Sequence, residues 1–72
     1  MNTMDLRLLS VFDEIYKTRS VTGAALALDL GQPAVSVALS KLRHHFDDPL
    51  FVRTSSGMEP TPLGEGLVRP VR

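Results

Sequence analysis

Residues 20–39 read SVTGAALALDLGQPAVSVAL, and the spacing of small and apolar residues within this stretch decides how the chain folds. Ser20 carries the hydroxyl of a helix N-cap, which accepts one of the orphan backbone N–H groups of a first turn. It opens a short helix over Val21 to Leu28, with Ala24, Ala25 and Leu28 as its inner face. Asp29-Leu30-Gly31 must then be a turn: aspartate tolerates the left-handed region, glycine is permissive, and Leu30 is placed to plug the corner. A second helix of the pair starts at Gln32-Pro33, where proline is tolerated because first-turn N–H groups have no helical partner, and it runs to Phe46. Helices joined by so tight a turn cross steeply. At about 100° per residue, Val35, Ala38, Leu39, Leu42 and Phe46 fall on one side, and Pro33, Ser36, Val37, Ser40 and His44 on the other. The first set is core. The second is short, mostly uncharged, and free of the Glu and Lys that usually decorate a solvated helix face.

Upstream of this pair, Leu6, Leu9, Phe12, Ile15 and Tyr16 recur at intervals of three and four, which predicts a helix from Asp5 to about Thr18 with those residues buried. Asp5 suits its N-terminal end, and Lys17 and Arg19 its C-terminal end. Downstream, Asp47-Asp48-Pro49 breaks the long helix. Leu50-Phe51-Val52-Arg53 and Met58-Glu59-Pro60 then flank Thr54-Ser55-Ser56-Gly57, the pattern of a small hairpin in which Pro60 must lie on an edge. Thr61-Pro62 repeats the cap-plus-proline signal, with Glu65 in the first turn, so a fourth helix begins at Thr61. Pro70 removes one backbone donor from that helix. The fold class expected is mainly α with a small β-hairpin.

Composition bounds what such a domain does. Seventy-two residues allow one compact core, and a chain of this size buries only roughly 60% of its unfolded surface. At 43% hydrophobic and 22% charged, the sequence is ordinary globular material. No apolar run approaches the roughly 18 residues of a spanning helix, and Asp5 and Arg7 interrupt any signal-peptide core, so the expected location is the cytoplasm with no membrane partner. The absence of cysteine excludes disulfides and thiolate metal sites. Eight basic and eight acidic residues give a formal net charge of zero. That argues against indiscriminate nucleic-acid binding. Lys41, Arg43, His44, His45 and Arg53 nevertheless cluster in the middle of the chain, which predicts a locally positive surface.

A helix-turn-helix needs small residues where two helices touch, apolar plugs at fixed offsets, and an outward face free to meet base edges. Ala24 and Ala25 meet the first need, Leu28, Leu30, Val35 and Ala38 the second, and Pro33, Ser36, Val37 and Ser40 the third. A plain three-helix bundle with a tight second turn shares the apolar spacing. Gln32, a bidentate amide at the tip of the third helix, suits adenine N6 and N7, though it equally solvates a helix start. Ser36 and Ser40 suit phosphate or base contact; Arg53 suits either a phosphate or a nearby carboxylate. His44, His45, Asp47 and Asp48 are the one cluster that hints at metal. Adjacent helical histidines point about 100° apart, and Asp48 falls at the helix break, so no metal or cofactor site is expected. No nucleophile elbow, glycine-rich phosphate loop or acid pair is readable, so the chain does not read as an enzyme. The rival to DNA binding is a module for protein contacts alone: zero net charge and the apolar Val37 favour it slightly, whereas the positive cluster and the Gln32-to-Ser36 stretch favour DNA.

The sequence also resembles a known family, the LysR-type transcriptional regulators, over essentially its whole length. The resemblance is carried by Asp5-Leu6-Arg7-Leu8-Leu9 with Phe12, by Arg19-Ser20-Val21-Thr22 with Ala24-Ala25 and Leu28, and by Gln32-Pro33-Ala34-Val35-Ser36. Leu50-Phe51-Val52-Arg53 and Pro60-Thr61-Pro62-Leu63-Gly64-Glu65 complete it. Leu42-Arg43, Met58-Glu59-Pro60-Thr61-Pro62 and Pro70-Val71-Arg72 look like the branch that controls nodulation or aromatic-compound catabolism. The resemblance implies a winged helix-turn-helix over residues 1–60, with 61–72 starting a linker helix that pairs two heads. It also implies an effector-sensing C-terminal domain beyond residue 72, and hence a small-molecule inducer only where that domain exists. The expected partners are double-stranded DNA and a second copy of the chain, paired weakly through so short a piece of linker. Base-reading positions carry over to Gln32, Pro33 and Ser36, with Val37 and Ser40 on the same face. Phosphate-contacting positions carry over to Ser20 and Thr22, joined by Lys41, Arg43 and Arg53, and the wing tip, Ser55 and Ser56, is expected near the backbone or minor groove. Three departures stand out: Gly31 replaces a frequent Ser or Thr cap, Val37 a frequent Arg or Asn, and Ser56 a frequent wing Arg.

Overall fold

The computed structural model describes residues 6–68, in the order α1 (Leu6–Thr18), α2 (Val21–Leu28), α3 (Gln32–Phe46), β1 (Phe51–Thr54), β2 (Gly57–Pro60) and α4 (Pro62–Val68). The roles read for Asp5 and for Pro70-Val71-Arg72 lie outside the described residues. Three helices pack around one core, and a two-stranded hairpin and the start of α4 close its remaining side.

The α2–α3 corner forms as the sequence requires. Ser20 is extended, and its side chain accepts the Gly23 N–H at 2.9 Å, so the cap is made. Asp29 ends α2 in the left-handed conformation, φ 57° and ψ 46°, and α3 leaves at 110° to α2. Ala24 and Ala25 are buried at this crossing, together with Val35, Ala38, Leu39 and Leu42. Two details differ from expectation. Gly31 sits at φ −76°, ordinary extended backbone, so the special conformation of the turn belongs to Asp29 alone. Leu30 does not plug the corner: it is exposed, and Leu28 packs against the core instead.

The buried face of α1 also differs. Leu6 is 80% exposed and Leu9 45%, whereas Val11, Phe12 and Ile15 are buried and Leu8 packs against them. The physical reason is angular. Steps of three residues drift about 60° around a helix each time, so a 6-9-12-15 series spirals off any single face, while 8-11-12-15 stays on one.

The hairpin is antiparallel with Phe51 opposite Pro60, Val52 opposite Glu59, Arg53 opposite Met58 and Thr54 opposite Gly57. Leu50, Phe51 and Met58 turn into the core, and the Phe51 ring meets that of Phe12 at 5.1 Å between centroids. A set of polar contacts then fastens hairpin and α4 to the helices. The Arg19 carbonyl accepts the Met58 N–H at 2.9 Å. Its guanidinium reaches the Tyr16 carbonyl at 2.7 Å and Glu59 at 3.0 Å and lies over the Tyr16 ring. Tyr16 donates to Glu65 of α4 at 2.9 Å. One Asp48 oxygen accepts both the Leu50 N–H and the Thr61 hydroxyl, each at 2.8 Å. Two glycines permit this closeness. A Cβ on Gly57, whose φ is +116°, would stand 2.7 Å from the Arg19 carbonyl oxygen, and one on Gly64 would stand 2.5 Å from that of Leu50.

Candidate nucleic-acid interface

Burial of Val35, Ala38, Leu39 and Leu42 turns the opposite side of α3 to solvent, and Gln32, Pro33, Ser36, Val37 and Ser40 are all exposed there. Between this face and the hairpin runs a groove with two lobes. One, of about 270 Å³, is lined by Ser20, Thr22, Gln32, Ser36 and Arg53 among others. The other, of about 260 Å³, shares Ser36 and Arg53 and adds Ser40 and Arg43. Residues from the start of α2, the outer face of α3 and strand β1 therefore converge, although up to 33 positions separate Ser20 from Arg53 in sequence.

The cations sort differently from the single patch expected. Arg53 is exposed beside the groove, and no carboxylate is paired with it among the ion pairs of the described residues. Arg43 faces the same groove, but its guanidinium donates to the Pro49 carbonyl at 2.8 Å and the Phe51 carbonyl at 2.9 Å, so it chiefly anchors the hairpin to α3. Lys41, His44 and His45 lie on the other flank, along an apolar trough of about 540 Å³ with Leu8 and Val37. The sequence cluster thus straddles α3, with positive charge on both sides of its outward face. Lys17 stands apart from this face. It pairs with Asp13 at 3.1 Å and Glu14 at 3.8 Å. The Asp13 hydrogen bond, with the Asp13 and Glu14 charges, holds its ammonium above the ordinary lysine range.

Ser20 has its oxygen engaged by the Gly23 N–H and keeps its own proton for a further acceptor. Thr22 is exposed and bonded to Gln32 across the corner, a contact that residue spacing does not reveal. Ser55 and Ser56 form the exposed hairpin tip, where the Ser56 N–H is held by Thr54 Oγ1 at 3.1 Å. Arg19, assigned from sequence only to the end of α1, is the other unforeseen participant. It borders the groove while tying the end of α1 to the hairpin. Its left-handed backbone, φ 58°, is likewise a feature without a signal in the spacing.

A steep helix pair, a second helix with one face open to solvent and an adjoining β-hairpin define a winged helix-turn-helix, the DNA-binding domain of a transcriptional regulator. Residues 6–65 match the family of bacterial regulatory helix-turn-helix proteins of the lysR type. The chain belongs to the LysR family, a family of regulators and not of enzymes. It is 51% identical over 71 residues to the transcriptional activator NahR of Pseudomonas putida, covering 99% of this chain and 24% of that protein. It is 44% identical over 69 residues to nodulation protein D 2 of Bradyrhizobium sp. strain NC92, covering 96% of this chain and 20% of that one. The latter agrees with the branch read from the sequence. Among solved structures, a probable transcriptional regulator of Pseudomonas aeruginosa superposes with a TM-score of 0.85 at 45% identity, over 89% of this chain and 22% of that one. The BenM DNA-binding domain bound to catB site 1 DNA gives 0.83 at 31%, over 89% of this chain and 72% of that one. The chain spans about a quarter or less of the length of these two curated relatives.

Proposed function

We propose that this domain binds duplex DNA sequence-specifically by laying α3 in the major groove, with Gln32, Pro33, Ser36 and Val37 toward the base edges. Ser20, Thr22, Ser40, Lys41 and Arg53 meet phosphates on the two sides, and Ser55 and Ser56 of the hairpin approach the backbone or minor groove. The observation that carries this reading is the distribution of charge around α3. Its outward face is short and uncharged, while Arg53 borders one flank and Lys41 the other. A major groove is itself an uncharged floor of base edges between two phosphate rows, and it admits one helix. The same face suits DNA better than a protein partner for a second reason: its polar groups are hydroxyls and an amide, the groups that pair with base edges.

The segment that begins at Thr61 we read as the start of a linker that pairs two copies of the chain, and the small-molecule response as the property of a further domain. In the bacterial cytoplasm the intact regulator would sit on the nucleoid. The first turn of α4 is nevertheless built into the head, through Thr61, Gly64 and Glu65, so a movement of that helix is felt by the hairpin.

Titration against specific and mixed-sequence duplex at several salt concentrations tests the reading. Few cations face the groove, so a slope of log K against log salt of only about −3 to −5 is expected per head. Absence of salt-dependent binding to any duplex would overturn it.

A further inference from the structure

Gln32 does not stand free at the tip of α3. Its Nε2 donates to Oγ1 of Thr22 at 2.5 Å, joining residues ten positions apart on the two helices of the corner. Both side chains are exposed and border the same lobe of the groove as Ser36 and Arg53. An amide nitrogen carries two protons, and a hydroxyl carries one proton and two lone pairs. The contact engages one amide proton and one lone pair. What remains on Gln32 is a donor and an acceptor side by side, the pair that matches N7 and N6–H of adenine. What remains on Thr22 is a proton, which suits a phosphate oxygen.

We propose that Thr22 is a positioning residue for base recognition: its hydroxyl fixes which way the Gln32 amide faces while its own proton clamps the DNA backbone. The terminal torsion of glutamine is broad and roughly two-fold, so an unheld amide presents oxygen or nitrogen to a given base edge almost equally. Once the Thr22 proton is committed to a phosphate oxygen, its oxygen can only accept, so Nε2 is held toward α2 and Oε1 is left to accept from a base. The backbone clamp and the base reader thereby form one hydrogen-bonded unit. Because Thr22 is neutral, it adds selectivity without adding to the salt dependence, in contrast to Arg53.

This inference rests on α3 being the recognition helix, and the test separates the two. The 72-residue chain is titrated against its preferred site and against that site with 7-deazaadenine, which lacks the N7 acceptor, at each adenine in turn. The parent is expected to lose about fivefold at one adenine. Gln32→Ala makes that substitution silent. Thr22→Val, close to isosteric at an exposed position, reduces the penalty to under about twofold with an unchanged salt slope, and Thr22→Ser retains it in full. In the free chain, Thr22→Val also shifts the Gln32 side-chain amide protons in the NMR spectrum. Thr22→Val with the parent's full 7-deazaadenine penalty, or with unmoved Gln32 amide protons, overturns the role of Thr22 while leaving α3 as the reader. A parent that prefers its site but ignores 7-deazaadenine throughout overturns it equally. A parent with no preference among duplexes overturns the recognition-helix reading as well.

Discussion

The α2–α3 corner and the joint among α1, the hairpin and α4 both bury apolar side chains in one core, but they add polar contacts in very different measure. The corner is held by apolar side chains within 20 residues of one another, Ala24 and Ala25 against Val35, Ala38 and Leu39. The joint is held in large part by polar groups far apart in sequence: Arg19 with Glu59, 40 positions away, and Tyr16 with Glu65, 49 positions away. Apolar burial tolerates small shifts of either partner because it is non-directional, whereas a hydrogen bond fixes distance and angle. The shared apolar core, to which Leu50, Phe51 and Met58 of the hairpin also belong, therefore supplies stability, and the polar contacts of the joint add placement of the hairpin beside α3.

That contrast is broken most severely from the apolar side. Leu42 is wholly buried in the shared core, so Leu42→Ala is expected to cost about 3 kcal/mol in urea denaturation, a large part of what a domain this small possesses. Survival of full stability would show that the core is not where the fold is held. Gly64→Ala should rank next at about 2 kcal/mol, because its Cβ meets the Leu50 carbonyl, a backbone atom that moves only if the hairpin entry moves. Its neighbour sharpens the point. Gly66 faces open space, and Gly66→Ala is expected to be neutral or to stabilise by up to about 1 kcal/mol through helix propensity. Equal effects at the two glycines would contradict the close packing of α4 on the head. Tyr16→Phe, which deletes one hydrogen bond to a carboxylate, should cost about 1 kcal/mol and loosen α4 in hydrogen exchange before the helix pair responds. Smallest is the Arg19–Glu59 pair, with side chains 34% and 40% exposed; a double-mutant cycle should return about 0.5 kcal/mol.

The same contrast explains what was legible in the sequence. Element types over residues 20–60, and the limits of α2 and α3, followed from caps, proline and spacing, since those signals are local; the hairpin arms, read as 50–53 and 58–60 around a four-residue loop, run instead over Phe51–Thr54 and Gly57–Pro60. The exposed set on α3 followed from the same periodicity that buried Val35 and Leu42. Leu6 and Leu9 were misplaced because α1 is rich in leucine on more than one side, and a three-residue step imitates a helical face over a short span. The Arg19–Glu59, Asp48–Thr61 and Thr22–Gln32 bonds were not legible at all. Each depends on which distant residue the fold brings near, and no spacing rule carries that. Arg43 shows the cost for the site: its position in a basic cluster suggested phosphate contact, while two backbone carbonyls of the hairpin entry hold its guanidinium.

Whether α3 meets base edges with its Pro33, Ser36, Val37 and Ser40 face is tested most directly at Val37. The side chain is 54% exposed and cannot hydrogen-bond, and the one apolar group that the major groove presents is the thymine methyl. Losing a contact of that size is worth about 0.8 kcal/mol, so uracil in place of one particular thymine should weaken binding about three- to fourfold. In Val37→Ala the same replacement should be nearly silent, since both changes remove one contact. A uracil scan that finds no sensitive thymine, or a sensitivity that Val37→Ala leaves intact, would contradict this orientation of α3.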